Sequence, residues 1–203
     1  GRITHAPDRG ASPGGFAGSH AVTRSVRDSA ALLDATAGPG LGDPYFPSPP
    51  ERPYLEEVGA DPGKLRIGFS RTVGGEDVLH RDCVSAVEDA ARLCSDLGHE
   101  VEEVEPVFDR NGLIEAFKVV FIAGLSSGMD TLAESDGLSY VLERIEPFTR
   151  ALYDRAVSFT VSEFLKAEGT IHKQSREIAA YYVDYDIWLT PTLGEPPVPL
   201  GTF

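Results

Sequence analysis

Apolar positions recur along this chain in two distinct rhythms. Val26, Ala30, Leu33 and Ala37 follow at steps of four, three and four, one face of an α-helix. Ser25 precedes them as an N-cap, and Asp28 puts a carboxylate at the same positive end. Gly38 stands where a left-handed C-cap needs no Cβ, and Pro39 cannot extend the helix. After the Pro62-Gly63 turn, Leu65 to Phe69 is a short apolar strand. A helix from about Asp82 to Leu97 follows, with Val84, Val87, Ala91, Cys94 and Leu97/Gly98 as its inner stripe. His99 to Val104 then alternates as a strand, completing a strand–helix–strand unit.

From about Asn111 to Tyr182 the pattern is mostly helical. Thr160-Val161-Ser162-Glu163 has the form of a capping box, and Phe164, Ile171, Ile178 and Tyr182 mark a long helix behind it. Gly169 lies inside that helix at a cost of ~1 kcal/mol relative to alanine. Tyr185 to Leu189 reads as a strand closed by Thr190-Pro191. Three stretches show no period: residues 1–22, residues 39–53 with six prolines, and the tail GEPPVPLGTF. The 39–53 segment predicts an extended surface connection.

Composition narrows the partners. The 203 residues are 41% hydrophobic and 25% charged, which supplies a real core. Thirty-two acids against 18 bases give a net charge of −14, the wrong sign for neutralising phosphate, so no nucleic-acid partner is expected. No run approaches ~18 apolar residues, and the N-terminus shows no basic region followed by an apolar one, so no membrane partner is expected either. Cys83 and Cys94 fall on one predicted helix, ~16 Å apart along its axis, beyond the ~7 Å limit for a disulfide. Unbridged cysteines favour a reducing, cytoplasmic setting.

Several stretches together resemble the amidase signature family. Gly1-Arg2 resembles the end of that family's conserved core, and TRSVRDSAALLDATAG (Thr23 to Gly38) and Gly42-Asp43-Pro44 follow at the expected distance. LRIGFS (Leu65 to Ser70), LGHEVEE (Leu97 to Glu103) and LTPT (Leu189 to Thr192) come in the same order. Many amidases carry Gly-Pro where this chain has His20-Ala21; the form HAVTRSV is similar to a branch that includes 6-aminohexanoate cyclic-dimer hydrolases. The resemblance implies an α/β fold, a mixed β-sheet flanked by helices, incomplete in this chain. Residues 1–203 would be part of a single amidase domain, with 1–22 the loop leaving the core. It also implies amide C–N hydrolysis through a serine acyl-enzyme, no cofactor, and a small-molecule amide substrate. The family's Ser-Ser-Lys triad has no matching position here, so the chain alone is expected to be inactive. Two other implied readings are a subunit of a tRNA-dependent amidotransferase and a non-catalytic binding or scaffold protein derived from an amidase. A truncated sheet leaves open edges, so self-association into a homo-oligomer is expected.

The residues present offer their own chemistry. Gly124-Leu125-Ser126-Ser127-Gly128 matches G-x-S-x-G, the nucleophile elbow of α/β-hydrolases, with Val119 to Ile122 as the strand before it. Asp130, Asp136 or Asp154, then His172, follow in Ser, Asp, His order. In the amidase reading, Ala123, Gly124, Ser126, Ser127 and Gly128 instead allow close approach by a neighbouring element, and Phe121 and Gly124 line the substrate pocket. Glu100, Glu102, Glu103 and Glu105 alternate with Val101 and Val104 as a solvated face. The five histidines show no metal-ligand spacing, so no zinc site is expected. Gly74-Gly75 before Glu76-Asp77 reads as a turn, without the spacing or lysine of a phosphate loop.

Overall fold

The computed structural model describes residues 2–6, 12–72 and 79–202. The glycine turn at 74–77 lies outside them, as does Gly1 of the Gly1-Arg2 pair. The chain divides into two units, Gly1–Asp61 with Phe117–Glu168, and Pro62–Ala116 with Gly169–Phe203.

The second unit is built on three parallel strands: β1 (Arg66–Phe69), β2 (Glu100–Glu103) and β3 (Ile187–Leu189), in the order β2-β1-β3. The named strands of the expected sheet thus all run the same way, with Ile67 opposite both Val101 and Ile187. Central β1 is the most buried, Ile67 being 3% exposed. Gly68 carries no side chain because Tyr181 crosses it: a Cβ there would stand 2.7 Å from Val104 Cγ1 and 3.0 Å from Tyr181 Cζ, with Tyr181 Oη closer still. Asp186 ties β3 to β1, its carboxylate accepting from the Arg66 backbone N–H at 2.8 Å and from the guanidinium at 2.9 Å.

Helix α3 (Arg81–Asp96) connects β1 to β2 and buries Val87 and Ala91, as its periodicity predicts. Cys94 is half-buried and Leu97 is exposed, because the helix ends there and Gly98, at φ 97°, turns the chain into β2. Cys83 and Cys94 are both free. Three of the four glutamates are exposed and paired, Glu100 holding Lys64 at 2.7 Å, Glu103 holding Arg71 and Glu102 accepting from Tyr185, whereas Glu105 is half-buried.

The first unit opens on α1 (Val26–Thr36). Ser25 Oγ accepts from Asp28 N–H at 3.0 Å, the N-cap read from the sequence. The C-terminus differs from expectation. Gly38 has φ 135°, outside the left-handed helical well, and its N–H donates to Arg2 O at 2.9 Å. The chain leaves α1 extended, bridging Ile3, so the glycine serves a bridge and not a Schellman turn. The short α2 (Tyr54–Glu57) starts at Pro53, and Asp34 on α1 caps it, taking Tyr54 N–H at 2.7 Å and Leu55 N–H at 2.9 Å. Residues 39–53 form no helix or strand.

The predicted helical region resolves into α4 (Arg110–Asp136), α5 (Leu138–Leu142), α6 (Pro147–Ala156) and α7 (Val161–Tyr181). The division between the units falls within α4 and α7. Thr160 and Glu163 make the reciprocal bonds of a capping box at 2.7 and 3.2 Å. On α7 the buried stripe is Ala167, Ile171, Gln174 and Tyr181, whereas Phe164 and Ile178 are half-buried and Tyr182 is exposed. Gln174 escapes a hydrophobic count, yet it is 2% exposed because its Oε1 accepts the Asp109 N–H at 2.7 Å. Among the described residues, α4 is the one helix long and apolar enough, by length and composition alone, to cross a membrane. The helix holds no unbroken run of ~18 apolar residues, as the sequence predicts, because Gly124, Ser126, Ser127 and Gly128 interrupt it.

Candidate functional site

The residues singled out for chemistry lie on the part of α4 that belongs to the first unit. Ala116, Val120, Ser126 and Met129 form its buried side, Val120 being fully buried. The run Val119 to Ile122 is helical, as is all of Gly124 to Gly128. Neither glycine takes a positive φ. A nucleophile elbow needs a strained strand-to-helix turn that exposes its serine. Here an unbroken helix holds Ser126 at 8% exposure. Helix-forming neighbours (Ala123, Leu125, Met129) outweigh the two glycines.

The partners proposed for that serine are engaged elsewhere. Asp130 accepts from Tyr153 Oη at 2.8 Å, and Asp154 accepts from Arg150 Nε at 3.0 Å. Asp136 is the last residue of α4, and His172 is exposed on α7. Among the described residues Ser126 makes no hydrogen bond to a histidine or carboxylate. The α/β-hydrolase alternative with Ser126 as nucleophile is therefore overturned: the motif is a helical coincidence. Tyr153 is held above the ordinary tyrosine range, first by its bond to Asp130 and then by burial. In that bond the Tyr153 hydroxyl is the donor.

Phe121 and Gly124 sit less than one turn apart. Phe121 is 51% exposed and stacks on Phe117 with ring centres 5.4 Å apart, while Phe117 meets the edge of Phe16 at 4.9 Å. A Cβ on Gly124 would stand 2.7 Å from Pro13 Cγ, so this glycine does admit a neighbouring segment. Among the described residues, no atom of another element lies within 4 Å of the corresponding point at Gly128. The two pocket candidates thus border an open apolar face, and neither lines the two cavities described next.

One cavity of about 330 Å³ in the first unit is lined by Arg2, Asp34, Phe46, Tyr54 and prolines of the 39–53 segment. Tyr54 Oη is the one buried side-chain polar atom without a partner among the described residues, and Arg2 lies over its ring at 5.6 Å. In the second unit a cavity of about 440 Å³ lies past the carboxyl end of β3, against Cys83 and Val87 of α3 and Pro191. Among the described residues, no hydrogen bond joins a serine, threonine or cysteine side chain to a carboxylate or histidine in either lining. Stretches that carry the family resemblance border both, Arg2 with Asp34, Ala37 and Gly38 the first and Leu189 to Thr192 the second, but none of them announces a cavity, because each cavity depends on how loops fold back. No group of three metal-ligating side chains occurs among the described residues.

The Amidase family profile matches residues 18–203. A relative from Synechocystis is 30% identical over 202 residues, 99% of this chain and 37% of its own length. The 6-aminohexanoate-cyclic-dimer hydrolase of a Pseudomonas species is 26% identical over 174 residues, covering 84% of this chain and 35% of that protein. A solved structure of a 6-aminohexanoate cyclic dimer hydrolase with its substrate superposes with a TM-score of 0.81 at 25% identity, over 88% of this chain and 38% of that one. The chain therefore spans little more than a third of the length of these relatives.

Proposed function

Because this chain belongs to the Amidase family, we propose that it is one portion of an amide hydrolase whose reacting groups lie in a segment that this chain does not include. The observation that carries the reading is the family match over residues 18–203, joined to a shared parallel-strand fold. Relatives named for the hydrolysis of a cyclic amide make a small carboxylic amide the substrate class.

The chemistry is serine acyl transfer. A serine oxygen adds to the amide carbonyl, and backbone N–H groups hold the oxyanion. A second serine and a lysine carry the serine proton to the departing amine, the C–N bond breaks, and water then cleaves the acyl-serine ester. No metal or organic cofactor enters the balance. The triad resides upstream of Gly1 in this proposal. The residues described above are scaffold and pocket wall, with Phe121 and Gly124 facing the substrate. Free Cys83 and Cys94 support a reducing, cytoplasmic setting.

Labelling with a fluorophosphonate probe, followed by intact mass and peptide mapping, tests the reading. The 203-residue chain takes no label, and the complete protein takes one on a serine outside residues 1–203. A stoichiometric adduct on any serine of this chain refutes it. In the complete protein, Phe121→Ala and Gly124→Ala alter selectivity among amides; unchanged selectivity removes both from the pocket.

A further inference from the structure

Helix α4 presents two apolar sides; the described residues bury one and leave the other largely open, touching it where Phe16 meets Phe117. Ala116, Val120 and Met129 are buried. On the other side Phe117, Phe121, Leu125, Gly128 and Leu132 follow at steps of four, four, three and four, so they form one stripe. Phe121 is 51% and Leu132 60% exposed, and Leu125 is half-buried. From Phe117 to Leu132 the stripe runs about 22 Å at 1.5 Å per residue. At Gly128, between the flanking side chains, no atom of another element comes within 4 Å of where a Cβ would stand among the described residues. That notch lets a second backbone approach to the ~8–10 Å of packed helices. A helix apolar on both sides belongs inside a larger core, yet only 22% of its most apolar 18-residue window is buried here.

We propose that the Phe117–Leu132 stripe is the docking surface for the catalytic segment of the amidase fold, the part this chain does not span. The inference rests on the functional reading above and adds where the two parts meet. The occupant follows from size and fold. The superposed hydrolase shares its fold with 88% of this chain, but that shared part is 38% of it, so most of that fold's packing mass comes from other residues. A lipid surface fits less well, because the opposite side of α4 is already packed against protein and the stripe is a narrow arc.

The test co-expresses the full 203-residue chain with the Synechocystis relative lacking the residues that match it. Binding is read by co-purification and light scattering, and contact by amide hydrogen exchange. The wild-type chain binds, and amides of residues 117–132 gain protection. The double variant F121D/L132D loses at least tenfold in affinity while its circular dichroism is unchanged. L41D, at a fully exposed leucine outside the stripe, binds as wild type does. The proposal is overturned if the wild-type chain fails to bind or if F121D/L132D binds equally well. It is also overturned if the stripe instead mediates self-association or attachment to phosphatidylcholine vesicles that F121D/L132D abolishes. Docking is read without turnover. A complex that forms through the stripe and hydrolyses nothing keeps this inference and refutes the hydrolase reading; an active complex indifferent to the double variant does the reverse.

Discussion

Replacing Gly68 by alanine puts a methyl group into space that Tyr181 and Val104 already occupy. The added Cβ would lie 2.7 Å from Val104 Cγ1 and 3.0 Å from Tyr181 Cζ, inside van der Waals contact. Tyr181 has little room to retreat. Its ring stacks on Tyr185 at 4.5 Å, meets Tyr182 edge-on at 5.3 Å and tilts against Trp188 at 6.3 Å. Overpacking of a core typically costs ~1–3 kcal/mol. A blocked aromatic neighbour puts this site at the upper end, about 3 kcal/mol, against ~0.5 kcal/mol gained by removing a strand glycine. For a chain of this length that lowers Tm by roughly 5–10 °C. Urea unfolding followed by fluorescence of Trp188, the single tryptophan, reads the effect in the unit where it arises. Tyr181→Phe removes the atom nearest the clash. Alone it sacrifices a long bond to Ile187 O (3.4 Å) and costs about 1 kcal/mol or less. In the G68A background it restores stability, with a coupling of about 1 kcal/mol or more in the double-mutant cycle. The reasoning is refuted if G68A unfolds within ~0.5 kcal/mol of wild type, or if its cost is the same with Phe at 181.

Three further outcomes are expected. Ser25→Ala removes the bond to Asp28 N–H and lowers stability by about 1 kcal/mol in thermal unfolding, whereas Ser25→Asp retains it. Asp186 is held below the ordinary aspartate range, first by its bond to the Arg66 side chain and then by the Arg66 N–H. Its contribution is therefore full above that ordinary value and fades as pH falls through the lowered one. Unfolding measured from pH 6 down to pH 2 should show a shallower acid limb for D186N, and an unchanged limb would contradict the assignment. Light scattering on the 203-residue chain should show self-association through the open edges of β2 and β3 that F121D/L132D leaves in place; a monodisperse wild-type monomer would count against it.

Local order was legible wherever one residue type has one local use. Ser25 and the Thr160/Glu163 pair announce their caps, because a side-chain oxygen must meet a free N–H two or three residues away. Val87 and Ala91 announce the inner side of α3, because a helical period leaves one side for the core. The alternation of Glu100 to Val104 announces a strand with a wet side. The family, too, is carried by short local stretches in order, and the profile match over residues 18–203 bears it out.

Other features depend on what lies across space. G-x-S-x-G is written identically for an elbow and for a helix turn, and only the unbroken hydrogen bonding of α4 decides between them. Gly38 looks like a helix cap until Arg2, far back in the chain, takes its N–H. Gly68 and Gln174 carry no local signal; Tyr181 crossing the strand and the Asp109 amide give them their roles. The open stripe on α4 has the same cause. Hydrophobic periodicity says that a side must be covered, while which segment covers it is a property of the folded whole. Short-range pattern thus determined the elements and the family of this protein, and tertiary packing decided which apolar sides are filled, because burial depends on neighbours that sequence distance does not reveal.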